Sequence, residues 1–169
     1  MRKLILVLVA MLVAAPLMAA TDTDTMLLYV TPQTNVSVVI TEDDHDYGNQ
    51  VALGDTTMND SAITITNDGD VEAYWEKHMS GNAGGWTQDV TSSGEIAEDY
   101  FRLYALCGTK PVMETGFTLG TDLVTAAPST LTGGANKAKD DTGSLWVRLE
   151  MPISVSTDGD GQQTMTLTI

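Results

Sequence analysis

Two short acidic turns carry the residues best suited to hold a cation. Asp68 and Asp70 flank Gly69, and Asp158 and Asp160 alternate with Gly159 and Gly161. Each pair offers the hard carboxylate oxygens that calcium prefers, on segments built to turn. Neither pair continues into an Asp-x-Asp-x-Asp-Gly loop with a distal glutamate, so hairpin turns are the simpler expectation and calcium the only cofactor suggested. His45 and His78 stand far apart in sequence and show neither the i, i+4 spacing nor the clustering of a metal site. No Gly-x-Ser-x-Gly elbow supplies a nucleophile, and carboxylates are so frequent that the closeness of any two says little about acid–base chemistry. An enzyme is not expected. Cys107 is the single cysteine, which excludes an intrachain disulfide and is expected to be a small buried hydrophobe.

Charge and the N-terminus narrow the setting. The chain has 169 residues, with 23 Asp and Glu against 8 Lys and Arg, a formal net charge of −15. Arg2 and Lys3 precede an apolar run over residues 4–13, followed by Ala14, Ala15, Pro16 and the small residues Ala19 and Ala20. This three-part build predicts a cleaved signal peptide over residues 1–20, and the run is too short for a stable membrane span. Cleavage removes two basic residues and no acidic one, so the mature domain, residues 21–169, is more acidic still. Nucleic acid and anionic lipid are excluded as partners, because both need clustered Lys and Arg. The expected location is outside the cytoplasm: extracellular, cell-surface or periplasmic.

The elements that position these residues read as strands. Val36, Val38 and Ile40, then Ile63 and Ile65, then Leu145, Val147, Leu149 and Met151, then Met165, Leu167 and Ile169 recur at every second position. Phe101, Leu103 and Ala105 alternate with Tyr100, Arg102 and Tyr104, which favours a strand from Tyr100 over a helix across residues 95–106. Turn clusters separate these runs at residues 67–70, 81–85, 133–134 and 158–161. Short strands are further expected at residues 115–119 and 122–126, because a long structureless loop there would be unusual. The fold class is all-β: one antiparallel β-sandwich of immunoglobulin-like or jelly-roll build.

The stretch DYGNQVALGDTT, residues 46–57, could cradle a phosphate or turn a corner. A cradle wants a following helix aimed at the anion, and here a Thr-rich strand follows, so the corner is preferred. Tyr47 is expected to plug the core edge with its hydroxyl in water, and Gly48 and Gly54 to take angles closed to other residues. Asn67 and Gly69 are expected to form a tight hairpin turn. This layout of aromatic-glycine, valine, second glycine and a strand ending in Asn-x-Gly resembles the immunoglobulin-like domain of the abnormal-spindle and hydin type. The second half, with Tyr100-x-x-Leu103-x-Ala105, Leu145-Trp146-Val147-Arg148 and the residue 163–167 finish, is similar to uncharacterised secreted bacterial sandwich proteins.

Function is read from what is left. Trp75, Trp86 and Trp146, with Tyr29, Tyr74 and Tyr104, would form a carbohydrate-binding face if exposed on a flat sheet. Asn35-x-Ser37 and Asn59-x-Ser61 are glycosylation sequons by letter. Residues 21–25 are polar, whereas Met26, Leu27, Leu28, Tyr29 and Val30 are apolar on both faces, as a strand buried from both sides must be. Such a strand can pair with its own sheet or be donated to a neighbour's open edge. In layout the chain resembles camelysin-related biofilm-fibre proteins, a resemblance that implies polymerisation. The expectation is a secreted structural or interaction protein that assembles with itself or another surface protein; the alternative is a monomeric adhesion or carbohydrate-binding module.

Overall fold

A computed structural model describes residues 35–42, 44–47, 51–81, 84–91, 94–113, 115–156 and 163–169. Nine strands and one helical turn account for the regular structure among them, so the chain is all-β. The strands are β1 (Val38–Ile40), β2 (Thr56–Met58), β3 (Ile63–Asn67), β4 (Glu76–Gly81), β5 (Thr87–Gln88), β6 (Tyr100–Cys107), β7 (Ser129–Thr130), β8 (Thr142–Glu150) and β9 (Thr166–Thr168); α1 is Leu119–Asp122. Alternation placed β3, β6 and β8 in the sequence, and all three form.

The larger sheet runs β1-β3-β8-β6-β5, and β2 joins it by pairing with β8. It is mixed rather than purely antiparallel, because β5 runs parallel to β6, with Thr87 opposite Tyr100 and Gln88 opposite Phe101. The smaller sheet runs β7-β4-β9. Strand β8 is the spine. One of its edges pairs with β6 from Leu145 to Glu150; the other is shared by β3, opposite residues 142–145, and β2, opposite residues 148–150.

A period of two on β6 and β8 sends Phe101, Leu103, Ala105 and Cys107, with Leu145, Val147 and Leu149, into one core cluster. Ile63 and Ile65 of β3, Met79 of β4, Trp75, Trp86, Val124 and Leu131 complete it, so both sheets contribute to a single core. The opposite face of β6 and β8 is not open to water. Tyr104, Leu106 and Trp146 meet Phe117 and Leu123 there in a second cluster, under the segment that leads from β6 to β7. Short strands expected at 115–119 and 122–126 are replaced by α1 and an isolated bridge between Leu123 and Tyr104. The reason is local. The Asp122 carboxylate accepts the Thr118 amide at 2.6 Å and the Thr132 hydroxyl, which closes one helical turn instead of extending the chain.

Two polar side chains hold junctions that backbone pairing leaves open. Lys77 is fully buried on β4, and its ammonium donates to Thr121 O at 2.7 Å and Thr130 O at 3.1 Å, tying α1 and β7 to β4. Burial lowers its pKa, with the Asp122 charge acting in the opposite direction. Asn59 fills the gap between β2 and β3 on the edge of β8. Its Oδ1 accepts the Val147 amide at 2.7 Å, and its Nδ2 donates to Leu145 O at 3.2 Å and Ser61 O at 2.6 Å.

Candidate functional site

The corner around Tyr47 is built, with two departures from expectation. The Tyr47 ring packs on the main core and His45 meets it edge-on, with centroids 4.7 Å apart, while His45 Nδ1 lies 2.9 Å from Glu42 Oε1. The hydroxyl is not in water: it donates to Val147 O at 3.1 Å. Burial, with the Glu42 charge adding to it, holds the phenol well above its ordinary ionisation range. A ring long enough to reach the middle of β8 takes its oxygen into the sheet. Gly48 lies outside the described residues. Gly54 sits at φ +78 with open space around its missing Cβ, and its amide donates to Pro152 O at 2.7 Å, so it is glycine for its backbone angle.

Asn67 and Gly69 do not make a hairpin, because β3 pairs with β1 and β8 while β4 belongs to the other sheet. They make a crossing between sheets. The fully buried Asn67 donates through Nδ2 to Val71 O at 2.9 Å and Lys137 O at 2.8 Å, and its Oδ1 accepts the Gly69 amide at 3.2 Å. Gly69 is glycine for closeness: a Cβ there would stand 2.6 Å from Asn35 O and 2.9 Å from Ser37 N. Tyr47, Gly54 and Asn67 are each bonded to backbone, and Gly69 to the Asn67 side chain.

Of the two acidic turns, only Asp68 and Asp70 fall among the described residues. Asp70 Oδ1 lies 3.1 Å from Lys139 Nζ on the surface, Asp68 is exposed, and Asp158 and Asp160 lie outside the described residues. Among the described residues no three His, Cys, Asp or Glu gather as metal ligands, and no helix is long and apolar enough to cross a membrane. Cys107 is buried, and burial raises its thiol pKa against the smaller opposing influence of Lys137 and the Ser144 amide.

The rings expected on a sugar-binding face are mostly interior. Trp75, Trp86, Trp146 and Tyr104 are buried, and only Tyr74, 62% exposed, faces solvent; Tyr29 lies outside the described residues. The residues of the expected assembly strand, Met26 to Val30, also lie outside them. Trp146 was legible as alternating against the apolar set, but the cover over the second face of β8 turns that position inward. Its indole donates to Gly108 O at 3.0 Å. The sequon at Asn59 is likewise closed, since the amide is buried and both of its ends are engaged.

Sequence reasoning missed a line of charge along the outer faces of β6 and β8. Arg102 Nη2 bonds Asp89 Oδ2 at 2.6 Å, and its Nη1 reaches Gly94 O at 3.1 Å and Glu150 Oε2 at 3.4 Å. Glu150 Oε1 accepts Arg148 Nη2 at 2.6 Å, and the Arg148 guanidinium lies 4.0 Å from the Tyr104 ring centroid. Arg102, Glu150 and Glu95 line a shallow cleft of 270 Å³, with Ile96, Met151 and Ile153 as its apolar wall. The available signal was an arginine on the second face of each central strand, Arg102 and Arg148, opposite Glu150 and Tyr104 in the register. Chemically this is a clamp of paired ions, since Asp89 and Glu150 are each engaged by a guanidinium.

No protein family, curated protein or solved structure matches this chain.

Proposed function

We propose that this chain is a secreted structural or interaction protein, an immunoglobulin-like or jelly-roll sandwich exported by the signal segment at residues 1–20. It assembles with its own copies or another surface protein through Met26 to Val30. The observation that supports this reading is the rim of the core. Strand β1 is bonded only to β3, and β9 only to β4, among the described residues. Val38 and Ile40 at one of these edges, and Met165, Leu167 and Ile169 at the other, are only half-buried against the core. An apolar strand laid on such an edge gains main-chain hydrogen bonds together with apolar burial, at about 25 cal/mol per Å². The residues just upstream, Met26 to Val30, have the composition of such a strand. The competing reading, a monomeric sugar-binding module, draws less support, because four of the six rings it would use are buried.

The test compares the chain beginning at Thr21 with one beginning at Thr31, by sedimentation and circular dichroism. A donated strand predicts concentration-dependent polymers for the longer chain and a folded monomer for the shorter. A longer chain that stays monomeric, with a shorter one that unfolds, overturns assembly through this strand and makes it part of its own core.

A further inference from the structure

Positive charge is scarce in this protein, and its placement is uneven. Outside the N-terminal segment the basic residues are Lys77, Arg102, Lys110, Lys137, Lys139 and Arg148. Lys77, Arg102 and Arg148 are buried, and Lys139 is paired with Asp70. The remaining two, Lys110 and Lys137, line the same groove, a concavity of 520 Å³ over the ends of β6 and β8. No Asp or Glu lines it, in a chain with 23 of them. Thr64, Thr109, Thr142 and Ser144 add hydroxyls, none of which has a hydrogen-bond partner among the described residues.

Each lysine is held in place by an indole. Lys110 Nζ lies 5.3 Å from the Trp146 ring centroid and donates to Asp60 O at 2.9 Å; Lys137 Nζ lies 5.1 Å from the Trp75 ring centroid. A cation over an aromatic face is positioned without being neutralised, so both ammonium groups keep their charge for another partner. Hydroxyls beside two ammonium groups, with no carboxylate in the lining, form a site for an oxyanion of low charge.

We infer that this groove binds a peptide carboxylate, an Asp or Glu side chain presented by a partner segment. A polyphosphate or nucleic acid would be repelled by the net charge of −15, whereas one or two carboxylates on a short segment meet mainly the local field. An acidic sugar is disfavoured because Trp75 and Trp146, buried beneath the lysines, offer no ring face for stacking. The groove uses no residue of the proposed assembly strand, so either inference can fail without the other.

The test is calorimetric titration of the full exported chain at low ionic strength with a capped peptide of alternating Thr and Asp. A Thr–Asn peptide and trigalacturonate serve as the comparison ligands. The Thr–Asp peptide should bind, the Thr–Asn peptide should not, and added salt should weaken binding. Lys110→Gln and Lys137→Gln should each weaken it about tenfold, while Lys137→Arg retains it and Lys139→Gln has no effect. Circular dichroism of each variant separates lost binding from lost folding, and Lys110→Gln, at an exposed position, carries the result if Lys137→Gln unfolds. The inference is overturned by no binding to the native chain, by equal binding to the double Lys110→Gln, Lys137→Gln chain, or by a preference for trigalacturonate over the peptide.

Discussion

Asn59 takes the place of a strand residue beside Val147. Its Oδ1 accepts the Val147 amide at 2.7 Å, and its own amide donates to Val147 O at 3.2 Å, so side chain and backbone together complete a rung that neither β2 nor β3 reaches. The Val147 amide would otherwise have no partner on this edge, between the reaches of β3 and β2. Asn59→Leu should therefore cost about 1 to 3 kcal/mol, the penalty for leaving the buried Val147 amide unsatisfied. Urea unfolding of the native and variant chains measures it, and a cost near zero would mean that β2 and β3 close the gap unaided.

Gly54 and Gly69 are glycine for different reasons, and alanine separates them. At Gly54 the surroundings are open and only the positive φ resists a side chain, so Gly54→Ala should cost about 1 to 2 kcal/mol. At Gly69 the new methyl would meet the backbone of Asn35 and Ser37, which cannot move without breaking the bond from the Asp70 amide to Asn35 O at 2.8 Å. Overpacking there should cost about 2 to 3 kcal/mol. Thermal unfolding should rank Gly69→Ala as the less stable.

Alkaline pH should act through Tyr47. Its folded pKa lies above the ordinary value of 10.0, so the unfolded phenol loses its proton first. The stabilisation is complete below that value and is lost as pH rises through and beyond it. Tyr47→Phe should cost about 1 kcal/mol at neutral pH for the lost hydrogen bond, and should flatten the fall in stability above pH 10.0. Equal slopes for the two chains in denaturant titrations would refute the assignment.

Acid should act through Asp89. Burial alone would raise its carboxyl pKa, but bonds from Thr91 and Arg102 outweigh burial and hold it below the ordinary 3.8. A depressed folded pKa gives stability that is present above that value and lost as pH falls through the folded one. Asp89→Asn leaves Arg102 with the longer Glu150 contact, and should cost about 3 kcal/mol at neutral pH. The difference from the native chain should shrink in acid, as measured by urea unfolding across the acid limb.

The strands of the larger sheet were legible where one face differs from the other. Ile63 and Ile65 alternate with threonines, and β3 forms there. Strand β4 escaped notice because Lys77 stands between the buried Trp75 just before it and Met79, and a lysine in the middle of an apolar set breaks the pattern; the carbonyls of Thr121 and Thr130, distant in sequence, make that burial tolerable. The aromatics were misplaced for a related reason. Alternation along β8 separates Trp146 from Leu145 and Val147, yet it carries no sign of the Phe117 and Leu123 cover on the second face. At the corner, Tyr47, Gly54 and Asn67 were recognisable by type. Their partners, Val147, Pro152 and Lys137, come from the far half of the chain and left no local trace.

Strand β8 occupies the centre of the larger sheet but follows all of its partners in the chain. Strands β2, β3 and β6 all complete their ladders on residues 142–150, and β3 and β6 have no bond to each other. During synthesis, amino end first, three strands emerge with no common partner. They wait until most of the sequence is out, and contacts of such long range close slowly. Until Glu150 arrives the chain depends on being held apart from its neighbours, and a fragment ending before Thr142 should aggregate rather than fold.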